Sequence, residues 1–177
     1  ENTAGLTIHV EPRKTGEGNL YTCAVKKSAE IPEEIFAAIE QSINNSFASG
    51  IRMGYPCTDT AVTLTAIDYN QLTSTTFAFE AAAAEAFDKA CNAASPELLE
   101  PVMNVDIESP AEFTGEAMSQ VTQNGGMISS MDEKSGGAVI HAQAPMAKMF
   151  GFSTKLRSVT QGRASFGMTF SHFQKKM

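Results

Sequence analysis

Lys155, Arg157 and Arg163 stand around a short polar group, Ser158, Thr160 and Gln161, within residues 155–166 of a 177-residue chain. Three cations beside hydroxyl and amide groups, with no carboxylate among them, suit contact with phosphate oxygens by charge and by hydrogen bond. The plain alternative is a solvated helix face, since exposed charge is ordinary on any protein surface. Arg163 has a further alternative, bonding the carbonyls at a helix end.

The element that must carry these groups is legible from its apolar neighbours. Phe152, Leu156 and Val159 recur at three- and four-residue spacing, which predicts a helix with one buried stripe. Gly162 falls where a left-handed C-terminal cap is wanted, and residues 164–173 alternate into a strand. The cations therefore bracket a turn between a helix end and a strand start.

Other chemistry finds no support. His9, His141 and His172 have no HxH or HExxH partner and read as structural, no Ser-His-Asp or Cys-His order has supporting spacing, and no GxxxxGK[ST] loop exists. The chain has no nucleotide site and no catalytic group of its own on this reading. Cys23, Cys57 and Cys91 are odd in number and never form a CxxC pair, which argues against a disulfide framework or a zinc site and for reduced thiols in the cytoplasm. Their equal spacing of 34 residues is chance, because the flanks share no pattern. No apolar run approaches the roughly 20 residues a membrane span needs, and no stretch reads as a signal peptide.

Charge is unevenly distributed. The net charge of −7 alone would argue against a nucleic-acid partner, but residues 1–96 carry 12 acids and 6 bases whereas residues 134–177 carry no carboxylate side chain at all. A cationic segment on an acidic body suits a protein that touches RNA backbone at one place without adhering everywhere.

In chain order, residues 6–10 alternate as a strand, 11–19 form a loop and 21–25 a second strand. Ile31-Pro32-Glu-Glu announces a helix whose core stripe is Ile35, Ile39, Ile43 and Phe47, ended by Gly50. Residues 61–65 form a third strand, 68–74 a polar turn, and 75–92 an Ala-rich helix burying Phe79, Ala83, Ala86, Phe87 and Ala90. After Ser95-Pro96 the order becomes strand, helix, strand, strand, helix, strand. Residues 102–107 lead to a Ser109-Pro-Ala-Glu capping box and a helix packed through Phe113, Ala117, Met118 and Val121. A hairpin of residues 127–131 and 138–143 follows, and the helix and strand described first complete a βαββαβ, ferredoxin-like unit.

The run from Pro145 to Phe166, Pro-Met-Ala-Lys-Met-Phe-Gly-Phe-Ser-Thr-Lys-Leu-Arg-Ser-Val-Thr-Gln-Gly-Arg-Ala-Ser-Phe, resembles the closing signature of the elongation factor G and elongation factor 2 family of translational GTPases. Leu99-Glu-Pro-Val-Met, Gly54-Tyr-Pro with Asp59, and Ile31-Pro32 resemble it too, in order and spacing, so the likeness covers essentially the whole chain. The resemblance implies an α+β protein of two domains. Residues 1–96 would be domain IV, similar to ribosomal protein S5 domain 2, with a left-handed βαβ crossover around the first helix and at least one edge strand missing through truncation. Residues 97–177 would be the ferredoxin-like domain V.

The resemblance further implies the C-terminal, ribosome-engaging part of a factor that moves tRNA and mRNA at the expense of GTP. Asn70, Gln71, Thr73 and Ser74 would form a tip that reaches the decoding region and faces tRNA and mRNA, and Lys155, Arg157, Gln161 and Arg163 would contact large-subunit ribosomal RNA. Ribosomal proteins near the GTPase-associated region would be further partners, and the factor would act as a monomer. GTP and Mg would belong to a parent protein extending upstream of Glu1. Several positions depart from the family pattern. Asn70 replaces a tip histidine, Thr73 an acidic capping residue, and Asn124 and Gly125 a pair of arginines, while Lys148 and Lys155 stand where acids are usual. A paralogue specialised for ribosome recycling stays open. So does a free-standing RNA-binding module, suggested by Arg163-Ala-Ser-Phe-Gly-Met-Thr-Phe, although stacking aromatics belong on a central strand and this is the last one. An acylphosphatase-like enzyme shares the ferredoxin-like architecture but needs a phosphate loop that the sequence lacks.

Overall fold

Ile35, Ile39, Ile43 and Phe47 all lie in α1 (Glu33–Ser49), and all are buried. Pro32 caps this helix at φ −59°, and Glu33 and Glu34 place negative charge at its positive end. Gly50 terminates it at φ +73°, where a Cβ would lie 1.7 Å from the Tyr55 carbonyl oxygen, so only glycine fits. The computed structural model describes residues 2–176, which divide into two units with the boundary between Pro96 and Glu97.

In the first unit, β1 (Gly5–Pro12), β2 (Leu20–Cys23) and β3 (Thr60–Asp68) form a sheet of order β1-β3-β2. β3 is antiparallel to β1 and parallel to β2, and α1 supplies the crossover that parallel neighbours need. α2 (Thr76–Ala93) buries Phe79, Ala83, Phe87 and Cys91. Ala86 and Ala90, expected in that stripe, are only half-buried, and Cys91 takes the last core position because the buried line runs at four-residue spacing. Phe47 and Phe87 meet edge to face at 5.6 Å, and Val62 and Leu64 of β3 close the core.

The second unit runs β4 (Leu99–Pro110), α3 (Thr114–Gln123), β5 (Met127–Lys134), β6 (Gly137–Pro145), α4 (Phe152–Val159) and β7 (Ser165–Lys175). Its sheet order is β5-β6-β4-β7 with every neighbour antiparallel, which is the ferredoxin-like arrangement expected. Val105 and Ile107 of β4 pack with Ile140 and Ala142 of β6 against Ala117 and Val121 of α3 and Phe152 and Leu156 of α4. The RNP1-like octet lies mostly on β7, which is an edge strand.

Three local expectations are corrected. The Ser109 capping box does not form: Ser109 remains in β4, its hydroxyl donates to the Pro110 carbonyl, and one 3-10 turn, Ala111–Phe113, intervenes before α3. Phe113 and Met118 are only half-buried, Met118 still packing against the core, and the buried residues of α3 include the polar Gln120 beside Ala117 and Val121. Val159 is exposed, and Thr160 is fully buried in its place, because the chain leaves the helix there and turns. Among the described residues, no helix is long and apolar enough to cross a membrane.

Candidate nucleic-acid interface

Phe152 and Leu156 anchor one side of α4, so Lys155 and Arg157 fall on its exposed side. The helix ends in a Schellman turn, with the Gly162 N–H donating to the Arg157 carbonyl at 2.8 Å. The left-handed position expected for Gly162 begins one residue earlier, at Gln161 with φ +52°, and Gly162 follows at φ +75°. Thr160 holds the turn from inside: its hydroxyl donates to the Leu156 carbonyl at 2.7 Å and accepts from the Ala164 N–H at 3.3 Å. Gln161 is thereby presented on a fixed, exposed corner.

The four candidate groups are not equivalent. Arg163 is bound to Glu112 through Nη1 and lies over the Phe113 ring, 5.7 Å from its centroid. It does not bond carbonyls at the helix end. Among the described residues, Lys155 and Arg157 have no ion-pair partner, and neither has Lys148, which lies outside the group expected from the sequence. Lys148 closes a turn of 3-10 helix, Met146–Met149, and Phe150 follows it with 79% of its surface exposed. Phe150 lies outside the Phe152 and Leu156 stripe, and that offset was the one signal available in the sequence.

Asn124 and Gly125 explain how Lys148 is held. The buried Gln120 donates to Asn124 Oδ1 at 2.9 Å, and Asn124 Nδ2 donates to the Lys148 carbonyl at 2.7 Å. Gly125 has φ +74°, and a Cβ there would sit 3.7 Å from Lys148 Cγ, so the lysine stem runs against the glycine at the C-terminal end of α3. A cation there also complements the helix dipole, which α3 supplies with no basic residue of its own.

The polar turn of the first unit is built from Asn70. Its Oδ1 accepts from the Leu72 N–H at 2.9 Å, and its carbonyl accepts from the N–H groups of Thr73 and Ser74. Ser74 Oγ accepts from the Asn70 N–H and donates to the Thr3 carbonyl, each at 3.0 Å. Thr73 does not cap α2; its hydroxyl bonds that of Thr3, and the cap is Thr75, whose Oγ1 accepts from the Ala78 N–H at 3.2 Å. The exposed residues of this turn include Gln71 and the apolar Leu72, 93% exposed, with Phe77 73% exposed on the first turn of α2. Residues 66–78 contain no cation. This turn can offer hydrogen bonds and apolar surface, whereas the α4 segment offers charge.

On the second unit's sheet, His141 bridges two carboxylates, Nδ1 to Asp106 at 2.6 Å and Nε2 to Asp132 at 3.1 Å. The hydrogen bonds to Asp106 first and Asp132 second raise its pKa above the ordinary 6.5. Its two nitrogens face different carboxylates and so do not converge on one ion.

A family model described as "Elongation factor G, domain IV" matches residues 1–95, and one described as "Elongation factor G C-terminus" matches residues 97–176. Elongation factor G 1 of Treponema denticola is 58% identical over 184 residues, covering 99% of this chain and 27% of that protein. Elongation factor G 2 of Treponema pallidum is 48% identical over 181 residues, covering 98% of this chain and 26% of that protein. A crystal structure of a Thermus thermophilus protein superposes with a TM-score of 0.86 at 26% identity, over 97% of this chain and 25% of that one. The chain spans about a quarter of the length of these curated relatives.

Proposed function

The chain belongs to the elongation factor G family, matching its domain IV and C-terminal models in sequence, and on that premise we propose that it is the ribosome-engaging part of a factor driving GTP-dependent movement of tRNA and mRNA. The observation that carries this reading is the match of both halves, in order, to the two family models. GTP and Mg would act in the rest of the parent protein, a monomer working in the cytoplasm. Asn70, Gln71, Thr73 and Ser74 form the tip that meets tRNA and mRNA. Lys155, Arg157, Gln161 and Arg163 face ribosomal RNA, beside ribosomal proteins of the GTPase-associated region.

The chemistry supports such a division. Lys155 and Arg157 are exposed and free of ion-pair partners among the described residues, in a segment without carboxylates, so they can neutralise phosphates. Arg163 can reach RNA with the donors that Glu112 leaves unused, since a guanidinium carries five.

Ribosome binding of the chain should weaken with salt at a log–log slope of roughly −2 to −3 for about three phosphates. Lys155→Glu and Arg157→Glu should each lower affinity and shallow that slope by about one unit. Unchanged affinity and slope in both variants would overturn the rRNA assignment. Arg163→Ala is expected to lower the slope less, because it also releases Glu112 and Phe113; a lower melting temperature with an intact slope would remove it from the RNA surface.

A ribosome-bound role other than translocation, such as recycling, is favoured by one observation. Asn70 commits its Oδ1 to the Leu72 N–H and stands where the resemblance puts a tip histidine, which leaves the tip without an imidazole. Asn70→His in the full-length factor tests it: a faster single-round translocation marks this chain as departing from the translocase, and an unchanged rate retains the first reading.

A further inference from the structure

Phe150 is the most exposed aromatic side chain of the second unit, yet the backbone beneath it is firmly held. Met149 and Phe152 on either side are 6% and 0% exposed. The Lys148 carbonyl is tied to Asn124, itself fixed by the buried Gln120. Gly151 turns the chain at φ +76° and accepts from the Lys155 N–H at 3.2 Å as α4 begins. An apolar ring fixed in this way and left in water forgoes burial that a small shift of a flexible segment would have allowed.

Cations flank the ring in the sequence. Lys148 is two residues before it, its stem set against Gly125. Lys155 stands one turn into α4, on the same side as Gly151, and helical side chains lean toward the N-terminus, which directs it back toward residue 150. Gly151 has no side chain to stand between them. No carboxylate side chain occurs from residue 134 onward, so the sequence around the ring carries cations, apolar groups and the hydroxyls of Ser153 and Thr154, and no anion.

We propose that Phe150 is a base-stacking site, taking the face of one unpaired nucleotide of a folded RNA while Lys148 and Lys155 hold the phosphates on either side of it. An aromatic face between cations matches that ligand in both respects, since every base has a π-face and every nucleotide a phosphate. A protein partner would bury the ring but would leave the lysines without carboxylates to meet unless it were acidic. This inference rests on the assignment of the α4 surface to ribosomal RNA and adds to it a stacking contact that charge alone cannot supply.

The test is binding of the chain to isolated large ribosomal subunits, and to two RNAs of equal length, one a hairpin with an unpaired loop and one a full duplex. Phe150→Ala should weaken binding to subunits and hairpin by roughly 5- to 150-fold, with the salt slope and the duplex affinity unchanged. Phe150→Tyr should keep wild-type affinity. Lys148→Ala should weaken binding and shallow the slope by roughly 0.7 to 0.9. The melting temperature of Phe150→Ala should match wild type, and a marked fall would make the ring structural and overturn the proposal. So would wild-type affinity in Phe150→Ala. If Lys155→Glu and Arg157→Glu still weaken binding in that case, the rRNA surface stands without a stacking site; if they too are silent, both readings fall.

Discussion

His141 can satisfy Asp106 and Asp132 together only as imidazolium, because a neutral ring has one N–H to donate. Glu108 of β4 and Lys134 of β5, 3.9 Å apart with β6 between their strands, border the cluster, so the site holds three carboxylates, one lysine and the histidine. The folded pKa lies above 6.5, chiefly through Asp106, so the stabilisation is fully present below 6.5 and lost as pH rises through the folded value. Thermal melts from pH 5.5 to 8.5 should therefore show a decline in wild type that His141→Gln lacks. Parallel pH profiles for the two proteins would rule the clamp out. The cluster is solvent-facing, so the effect should be small and should shrink with salt.

The start of α2 and the turn before it separate two kinds of hydrogen bond. Thr75 satisfies an orphan N–H of the first helical turn, and Thr75→Ala should cost about 1 kcal/mol in urea denaturation. Asn70 shapes an exposed turn where water replaces what is lost, so Asn70→Ala should cost about 1 kcal/mol or less while slowing tRNA movement in a reconstituted factor. A loss of several kcal/mol with normal translation would make Asn70 a folding residue and take it out of the functional tip. Because the tip holds no cation, its contribution to ribosome binding should be nearly independent of salt, in contrast to α4.

Along the sequence the acids stop at Glu133, but the fold brings three of them back onto the cationic segment, Glu108 to Lys134, Glu112 to Arg163 and Glu97 to Lys175. On the proposed reading, favourable RNA contact is confined to cations that the fold leaves without an ion-pair partner among the described residues, such as Lys148, Lys155 and Arg157. The thiols all belong to the first unit and report on its integrity. Cys23 is exposed, whereas burial raises the Cys57 thiol and pushes Cys91 to about 11. A maleimide at pH 7 should label Cys23 in the folded chain and Cys91 only after unfolding, as read by peptide mass mapping. Rapid modification of Cys91 under native conditions would mean that the α1 and α2 core opens readily.

Period and punctuation were legible before any coordinates. Ile35, Ile39, Ile43 and Phe47 had to share one side of a helix because 3.6 residues make a turn, and Gly50 had to end it because the backbone there takes a positive φ. The βαββαβ order followed from the same local signals, and the family signature around α4 pointed to the cationic segment. What stayed hidden depends on partners far apart in the chain. Glu112 claims Arg163 across 51 residues, and Asp106 meets His141 across 35. Which polar residue replaces Val159 at the end of α4, whether Phe150 faces core or water, and how Asn124 holds Lys148 were likewise open. Hydrophobic spacing says that a residue lies on one side of an element, since water alone enforces that; which neighbour it meets is set by strand order and register, and those exist only once the sheet has closed.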